Sequence, residues 1–254
     1  MYISVIVAAH NEERYIARAL EALRASLAKY EHEIIVVCDR CTDRTPEIGS
    51  KLGDKVVIKN ESKWSNSYAE NLAIGLAEAT GEYIAIVDAD MVVEEQYFAK
   101  VLDAFKDPGV ASVSGRVITE GSTLFNRLYS LWERTYDLFG SRRPRGGNRV
   151  FRADVLRKIG FRDVIAPDTD LDLRMPGDKV YLDNALSYHI REITLRKCIR
   201  GQISSGKARR QLHISFFRTL LHGILRLRPF VIVGYIISSD CQTSTLASLK
   251  EKKR

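Results

Sequence analysis

Gly81-Glu82-Tyr83-Ile84-Ala85-Ile86-Val87-Asp88-Ala89-Asp90-Met91 decides the fold, because an apolar strand runs straight into two carboxylates one residue apart. Tyr83 to Val87 has the length and β-branched content of a buried parallel strand, and the carboxyl ends of such strands are where open α/β sheets hold their ligands. Asp88 and Asp90 therefore fall at the rim of a crevice. Carboxylates this close repel unless a cation lies beside them, and a hard oxygen site of this kind suits Mg²⁺ or Mn²⁺ carrying a diphosphate. A solvated turn with two acids is the alternative reading of the same residues.

Working outward, the chain alternates strands and helices at short spacing. Ile3 to Ala8 reads as a first buried strand, followed by a loop in which Asn11 caps a helix with Ile16, Ala19, Leu20, Leu23 and Leu27 on one face. Ile34 to Cys38 is a second strand, and Thr45-Pro46 opens the next helix. Val56 to Ile58 is a third strand. Ser67-Tyr68-Ala69-Glu70 forms a capping box, and Gly81 closes its helix in a left-handed conformation. Beyond the central strand come a helix through Phe98, Val101, Leu102 and Phe105, then a fifth strand from Val110 to Val117. This order specifies an α/β fold: a doubly wound, mostly parallel sheet with helices on both faces.

After Gly121 the pattern changes. Phe125, Leu128, Tyr129, Trp132, Tyr136 and Phe139 make an aromatic helical stripe that either covers an acceptor pocket or packs on the sheet. Arg142-Arg143-Pro144-Arg145-Gly146-Gly147-Asn148 reads as a basic, flexible turn whose glycines permit close approach to a ligand. A helix from Ala153 to Ile159 precedes the acid-rich helix start Ala166-Pro167-Asp168-Thr169-Asp170-Leu171-Asp172. Val180 to Leu182 and Ala185 to Tyr188 read as two short final strands, ending at His189.

With 254 residues and 45% hydrophobic content, the chain can bury a full core. Its net charge of +7 is local: residues 191 to 228 carry ten Lys/Arg and a single acid, Glu192, so the remainder is slightly acidic. That patch is interleaved with aliphatic residues, which suit a bilayer better than nucleobases, and nucleic acid is excluded as a partner on that ground. No run reaches the ~18 to 20 apolar residues of a spanning helix, so an amphipathic interfacial segment is expected, or a helix packed on its own domain or on a second copy of the chain. Four scattered cysteines fit a reduced, cytoplasmic setting. Cys38-Asp39-Arg40-Cys41 has redox spacing but reads as two structural thiols, and Met1 to Ala9 lacks the pattern of a signal peptide.

Val5-Ile6-Val7-Ala8-Ala9-His10-Asn11-Glu12, Val36-Val37-Cys38-Asp39-Arg40-Cys41-Thr42-Asp43, Ala69-Glu70-Asn71, Asp88-Ala89-Asp90, Gly146-Gly147-Asn148, Pro167-Asp168 and Tyr188-His189 occur in one order. In that order the chain resembles the family 2 glycosyltransferases, inverting sugar-nucleotide enzymes of GT-A fold that include polyprenyl- and dolichyl-phosphate sugar synthases. The resemblance implies a nucleotide-sugar donor site of Ala8, His10, Asn11, Glu12, Asp39, Asn71, Asp88 and Ala89, with Asp39 reading a ring N–H of the base. It implies Mg²⁺ or Mn²⁺ on Asp90, with Asp88 and His189 as further metal ligands, and an acceptor loop of Gly146, Gly147 and Asn148. Asp168 matches the catalytic base, with Asp170 as the residue that would serve instead. Implied too is a transferase domain over residues 1–190 and a membrane-interfacial segment over 191–254, at the cytoplasmic face of the cell membrane, with a lipid-linked or glycan acceptor.

The chain departs from the family pattern in three places. Pro167 replaces a Glu before the base, Glu70 replaces an Arg before Asn71, and the second loop carries two cysteines. The Glu70 change leaves a phosphate contact to Lys63, Arg116 or Arg145. A nucleotide-sugar-binding partner without turnover is the alternative function. A sugar-nucleotide pyrophosphorylase would need a Gly-rich loop where Ala8-Ala9-His10-Asn11 stands.

Overall fold

The computed structural model describes residues 1–120, 126–129, 131–132 and 147–238. Two compact units divide the chain, Met1–Thr194 and a second beginning at Leu195. The first holds an eight-stranded sheet: β1 (Tyr2–Ala9), β2 (Glu31–Asp39), β3 (Lys55–Lys59), β4 (Tyr83–Val87), β5 (Met91–Val93), β6 (Val110–Thr119), β7 (Asn148–Arg152) and β8 (Asp178–His189). Their spatial order is β3-β2-β1-β4-β7-β6-β8-β5. Pairs β1/β2, β1/β4, β2/β3 and β6/β8 are parallel; β4/β7, β6/β7 and β5/β8 are antiparallel.

The central stretch lies at the middle of this sheet for a physical reason. Ile84, Ala85, Ile86 and Val87 are all buried, and a strand covered on both faces must have neighbours on both edges and helices above and below. Ile3, Val5 and Val7 point to one face, against α1 (Ile16–Leu27) and α4 (Tyr97–Ala104), whereas Ile6 and Ile86 point to the other. That second face is closed by α3 (Ser67–Glu78), α5 (Ala153–Ile159) and α6 (Pro167–Arg174); α2 (Thr45–Leu52) packs beside α1. Period-2 alternation in β1 thus builds two cores at once.

Gly75 lets α3 come close to β1: a Cβ there would lie 2.3 Å from Ile6 Cγ2. Gly→Ala in an exposed helix gains roughly 1 kcal/mol. Here the clash with a fully buried, β-branched neighbour outweighs that gain, so Gly75→Ala is expected to destabilise the protein by about 1–3 kcal/mol in urea unfolding. A midpoint equal to or above wild type would refute the close packing.

Four local expectations are corrected. Asn11 does not cap α1, which begins at Ile16 after Tyr15; it takes a left-handed φ of 55° and its Oδ1 accepts from the Thr42 N–H at 2.8 Å. Ser67 is not the cap of α3; Asn66 is, with Oδ1 accepting from the Tyr68 and Ala69 N–H groups. Glu70 turns instead to Lys59, Ser62 and the Lys63 N–H. Gly81 lies beyond an α3 that ends at Glu78, in ordinary backbone pressed against β1.

Two strands escaped the sequence pattern. Asn148 to Arg152, whose first residue was read as part of a flexible turn, is β7, and Met91 to Val93 is β5. The two expected final strands are one continuous β8, with a register shift where it passes Gly115 and Arg116 of β6. Within the aromatic stripe, Tyr129 and Trp132 pack ring on ring at 5.2 Å; Phe125, Tyr136 and Phe139 lie outside the described residues, as does Gly146.

The second unit is helical: α7 (Leu195–Gln211), α8 (Phe216–Leu225) and α9 (Pro229–Ile237). Helices α7 and α9 cross at small residues, Gly206 against Gly234, while the Tyr235 hydroxyl donates to the Ile214 carbonyl at 2.9 Å. Phe217, Ile224, Leu225, Leu227 and Ile236 stay exposed. No helix among the described residues is long and apolar enough to cross a membrane.

Candidate functional site

The carboxyl ends of β1, β2 and β4 meet the end of β8 in a cleft of about 400 Å³. It is lined by Ala8, His10, Glu12, Asp39, Asn71, Asp88, Ala89, Asp90 and His189, together with Ala9, Arg40, Ser67, Tyr68 and Arg191. Register explains the meeting. Met91 pairs with His189, and the Ile190 N–H donates to the Asp90 carbonyl at 3.0 Å, so the end of β8 is pinned to the turn that carries both aspartates. Of the donor residues expected from the sequence, only Asn11 lies outside the lining; it ties the first loop to the second through Thr42.

Asp39 is buried and saturated with donors. Its Oδ1 accepts from Arg40 Nε at 2.9 Å and lies 3.3 Å from Lys59 Nζ, its neighbour in the β2/β3 register. Oδ2 accepts from Arg40 Nη2 at 3.1 Å and from the Ser67 hydroxyl. Burial works to raise its pKa, but the bonds from Arg40 and Ser67 and the charge of Lys59 prevail and hold it well below the usual carboxylate range. Lys59 also pairs with buried Glu70, whose own pKa is lowered to about 2 because its bonds from Ser62 and Lys59 outweigh burial. His10 Nδ1 lies 2.6 Å from the Asp39 carbonyl oxygen, and Asn71 Oδ1 is buried without a partner.

The two central carboxylates differ. Burial pushes Asp88 up to about 6, and Asp90 adds to the rise while the Tyr68 hydroxyl, donating to Oδ1 at 2.7 Å, pulls the other way. Asp90 is lowered despite burial, because His189 Nε2 stands 3.3 Å and Arg191 Nε 2.6 Å from its Oδ2. Arg191 also bonds Glu12, whose pKa burial nevertheless raises and whose Oε2 has no partner. His189 Nδ1 is likewise buried without one.

This donor set fits Mg²⁺ or Mn²⁺. It offers hard oxygens with one imidazole, and burial leaves the ionised form of Asp88 in want of a cation. Among the described residues no three His, Cys, Asp or Glu side chains converge closely enough to hold a metal by themselves. A cation held here would take few protein ligands and draw the rest of its shell from other oxygens, which is how Mg²⁺ is commonly held.

A second pocket of about 360 Å³ adjoins the cleft and shares Tyr68 and Asp88 with it. Its walls include Leu72, Ile86, Phe151 and Leu171, and Asp168 opens into it from the first turn of α6. Desolvation by the pocket walls raises the pKa of Asp168, as does Asp172, against a bond from the Thr169 N–H, though the Asp168 side chain reaches solvent. Gly147 lies at the junction with φ 96°, where a Cβ would meet Asp88 Oδ2 at 2.7 Å. Asn148 points away, its Nδ2 on the Ser187 hydroxyl.

Asp170 is not in the pocket. It is buried in an ion pair with Arg174, whose Nε lies 2.8 Å away and whose Nη atoms also hold the Ile159 and Gly160 carbonyls. Its expected role as an alternative base therefore falls away. Neither Lys63 nor Arg116 lines the cleft, and Arg145 lies outside the described residues. The site residues missed in the sequence are Arg40, Ser67, Tyr68, Arg149 and Arg191. Arg149, 2% exposed, lines the second pocket with its guanidinium on Asp172 at 2.6 Å and on Ser112.

The sequence profile of glycosyl transferase family 2 matches residues 4–162, well over half of the chain, and the protein belongs to that family. It is 30% identical over 209 residues to "Probable glycosyltransferase YdaM" of Bacillus subtilis (strain 168), covering 74% of this chain and 48% of that protein. It is 28% identical over 197 residues to the beta-monoglucosyldiacylglycerol synthase of Nostoc sp. (strain PCC 7120 / SAG 25.82 / UTEX 2576), covering 70% of this chain and 42% of that one. The chain thus spans about half the length or less of these curated relatives. Among solved structures, the mannosyltransferase PcManGT from Pyrobaculum calidifontis, in complex with GDP-Man and Mn²⁺, superposes with a TM-score of 0.63 at 20% identity. That match covers 99% of this chain and 79% of the other, and the fold is GT-A.

Proposed function

We propose that this chain transfers a sugar from a nucleoside-diphosphate donor to an acceptor at a membrane surface, with inversion at the anomeric carbon. The observation that carries the reading is the junction at Tyr68 and Asp88. It joins a cleft bearing Asp39, Asp90 and His189 to a pocket into which Asp168 opens. Donor and acceptor held in these two spaces meet at a shared wall, which is what a single in-line displacement requires.

The base of the nucleotide lies against Ala8, His10 and Asp39. Uracil and guanine each present a ring N–H to Asp39, and Arg40, the exposed one among the residues bonded to that carboxylate, gives way to it. Asp90, with Asp88 and His189 beside it, would hold Mg²⁺ or Mn²⁺, which neutralises the leaving diphosphate. Asp168 takes the proton of an acceptor hydroxyl as that oxygen attacks the face opposite the diphosphate. Its raised pKa suits it to accept that proton. Transfer is therefore expected to fall as pH drops through the Asp168 pKa, since the protonated carboxyl cannot act as base.

The reading is tested by titrating UDP and GDP, with and without Mn²⁺, into the purified chain, then measuring donor hydrolysis with the better ligand. Metal-dependent binding of one nucleotide supports it. A folded protein that binds neither refutes it, and tight binding without hydrolysis or transfer moves the chain to the role of a non-catalytic partner.

A bilayer is the surface proposed for the second unit, since exposed Phe217, Ile224, Leu225 and Leu227 are interleaved with Arg218, Arg226 and Arg228. Such a unit at the cytoplasmic membrane face suits a lipid-linked acceptor, and the Nostoc relative is named for the synthesis of a glycolipid. The chain is expected to co-sediment with vesicles containing anionic lipid, less so in high salt, and Phe217→Asp with Ile224→Asp is expected to weaken that by roughly tenfold or more. Equal sedimentation of the variant, or concentration-dependent dimerisation that the variant abolishes without vesicles, would assign this face to a second copy.

A further inference from the structure

Arg191 stands where a cation is wanted. Its Nε lies 2.6 Å from Asp90 Oδ2, the oxygen that His189 also faces, and its other end bonds Glu12. The guanidinium lies over the Tyr15 ring at 5.4 Å and is held by carboxylates, while the side chain, 30% exposed, lines the cleft. Its backbone is fixed, because Ile190 is bonded to the Asp90 carbonyl. The side chain is therefore the part free to move.

We propose that Arg191 is a donor-binding residue that serves as a counter-ion to Glu12 and Asp90 while the cleft is empty and exchanges them for the diphosphate when metal and donor enter. The argument rests on the donor-site reading above and on charge. A divalent ion bound at Asp90 repels a guanidinium bonded to the same carboxylate. A diphosphate arriving with that ion offers the displaced fork a bidentate anionic partner in the same cleft, and arginine matches phosphate oxygens in that geometry. Lys63, Arg116 and Arg145 were the cations expected to touch phosphate; among the described residues of the cleft wall, Arg191 and Arg40 are the arginines present, and Arg40 stands at Asp39, where the base is read, whereas Arg191 stands at Asp90.

This exchange makes two effects of opposite sign. Removing Arg191 frees Asp90 of a competing cation, so Mn²⁺ alone binds more tightly. It also removes a phosphate contact, so the nucleotide with Mn²⁺ binds more weakly. The experiment titrates Mn²⁺ into the full chain by paramagnetic resonance without nucleotide, then UDP or GDP at saturating Mn²⁺ by calorimetry, for wild type, Arg191→Ala and Arg191→Gln. The expected results are Mn²⁺ affinity raised several-fold and nucleotide affinity lowered about 10- to 100-fold in both variants, the loss being that of a charge-assisted hydrogen bond. Arg191→Gln keeps part of the stem and a polar N–H end without the charge, so its agreement with Arg191→Ala separates charge from folding.

Loss of both affinities together would mean that Arg191 only supports the fold of the cleft, and would overturn the inference. So would an unchanged nucleotide affinity in variants of a wild type that binds it. A wild-type chain that binds neither nucleotide overturns the donor-site reading and this inference with it.

Discussion

Asp168→Asn is expected to lower sugar transfer to a hydroxyl acceptor by about 10²- to 10⁴-fold, the range for a positioned general base. Binding of nucleotide and Mn²⁺ should be unaltered, because Asp168 opens into the second pocket and does not line the nucleotide cleft. Asparagine retains the volume and can accept a hydrogen bond, but takes up no proton at neutral pH. The acceptor decides the size of the effect. If it is a polyprenyl phosphate the nucleophile is already ionised, and the variant should keep transfer within a fewfold of wild type. Single-turnover transfer with a hydroxyl-terminated and a phosphate-terminated lipid therefore names the acceptor class. A variant with full activity on a hydroxyl acceptor would remove Asp168 from the chemistry. The pH profile adds a control: the acid limb of the wild type should vanish in the variant.

Asp90→Ala is expected to abolish Mn²⁺-dependent nucleotide binding and to reduce transfer to background. The residue is buried at the point where β4 ends, and both cationic side chains of the cleft floor converge on its Oδ2. Taking the carboxylate away leaves Asp88 as the nearer oxygen donor, and burial opposes its ionisation. A single carboxylate of that kind holds a divalent ion weakly. Arg191 keeps Glu12 as a partner in the variant, so the fold is expected to survive, which unfolding in urea will check. Wild-type affinity for nucleotide with Mn²⁺ in Asp90→Ala would place the metal elsewhere or remove it from the mechanism.

The strand-helix alternation was legible because each strand of the first half is an apolar run bounded by polar turns. Helix Ala153–Ile159 and strand Tyr83–Val87 have the limits their residues announce. Caps were not legible, because a short polar side chain has several partners within reach and the tertiary fold chooses among them. Ser67 has a good capping sequence, yet its hydroxyl is taken by Asp39 from β2 and the cap passes to Asn66. Glu70 was read within a local box and is in fact the buried partner of Lys59. Strand β7 was hidden because Arg149 within it looks like part of a basic turn; burial of that guanidinium is made tolerable by Asp172 and Ser112, neither of which is near it in sequence.

The site divides along the same line. Sequence alone determined that Asp88 and Asp90 end a buried strand, that Asp39 ends the second strand, and that Asp168 begins a helix, since local pattern places residues at element ends. Only tertiary structure decided that Asp168 and Asp170 part company, one into the pocket and one onto Arg174, because which side of a helix is buried depends on what packs there. It also decided that Arg191, in a run read as a membrane-facing patch, closes on Glu12 and Asp90. That contact joins residues 179 positions apart, and a pairing register between β5 and β8 that local sequence does not contain brings them together.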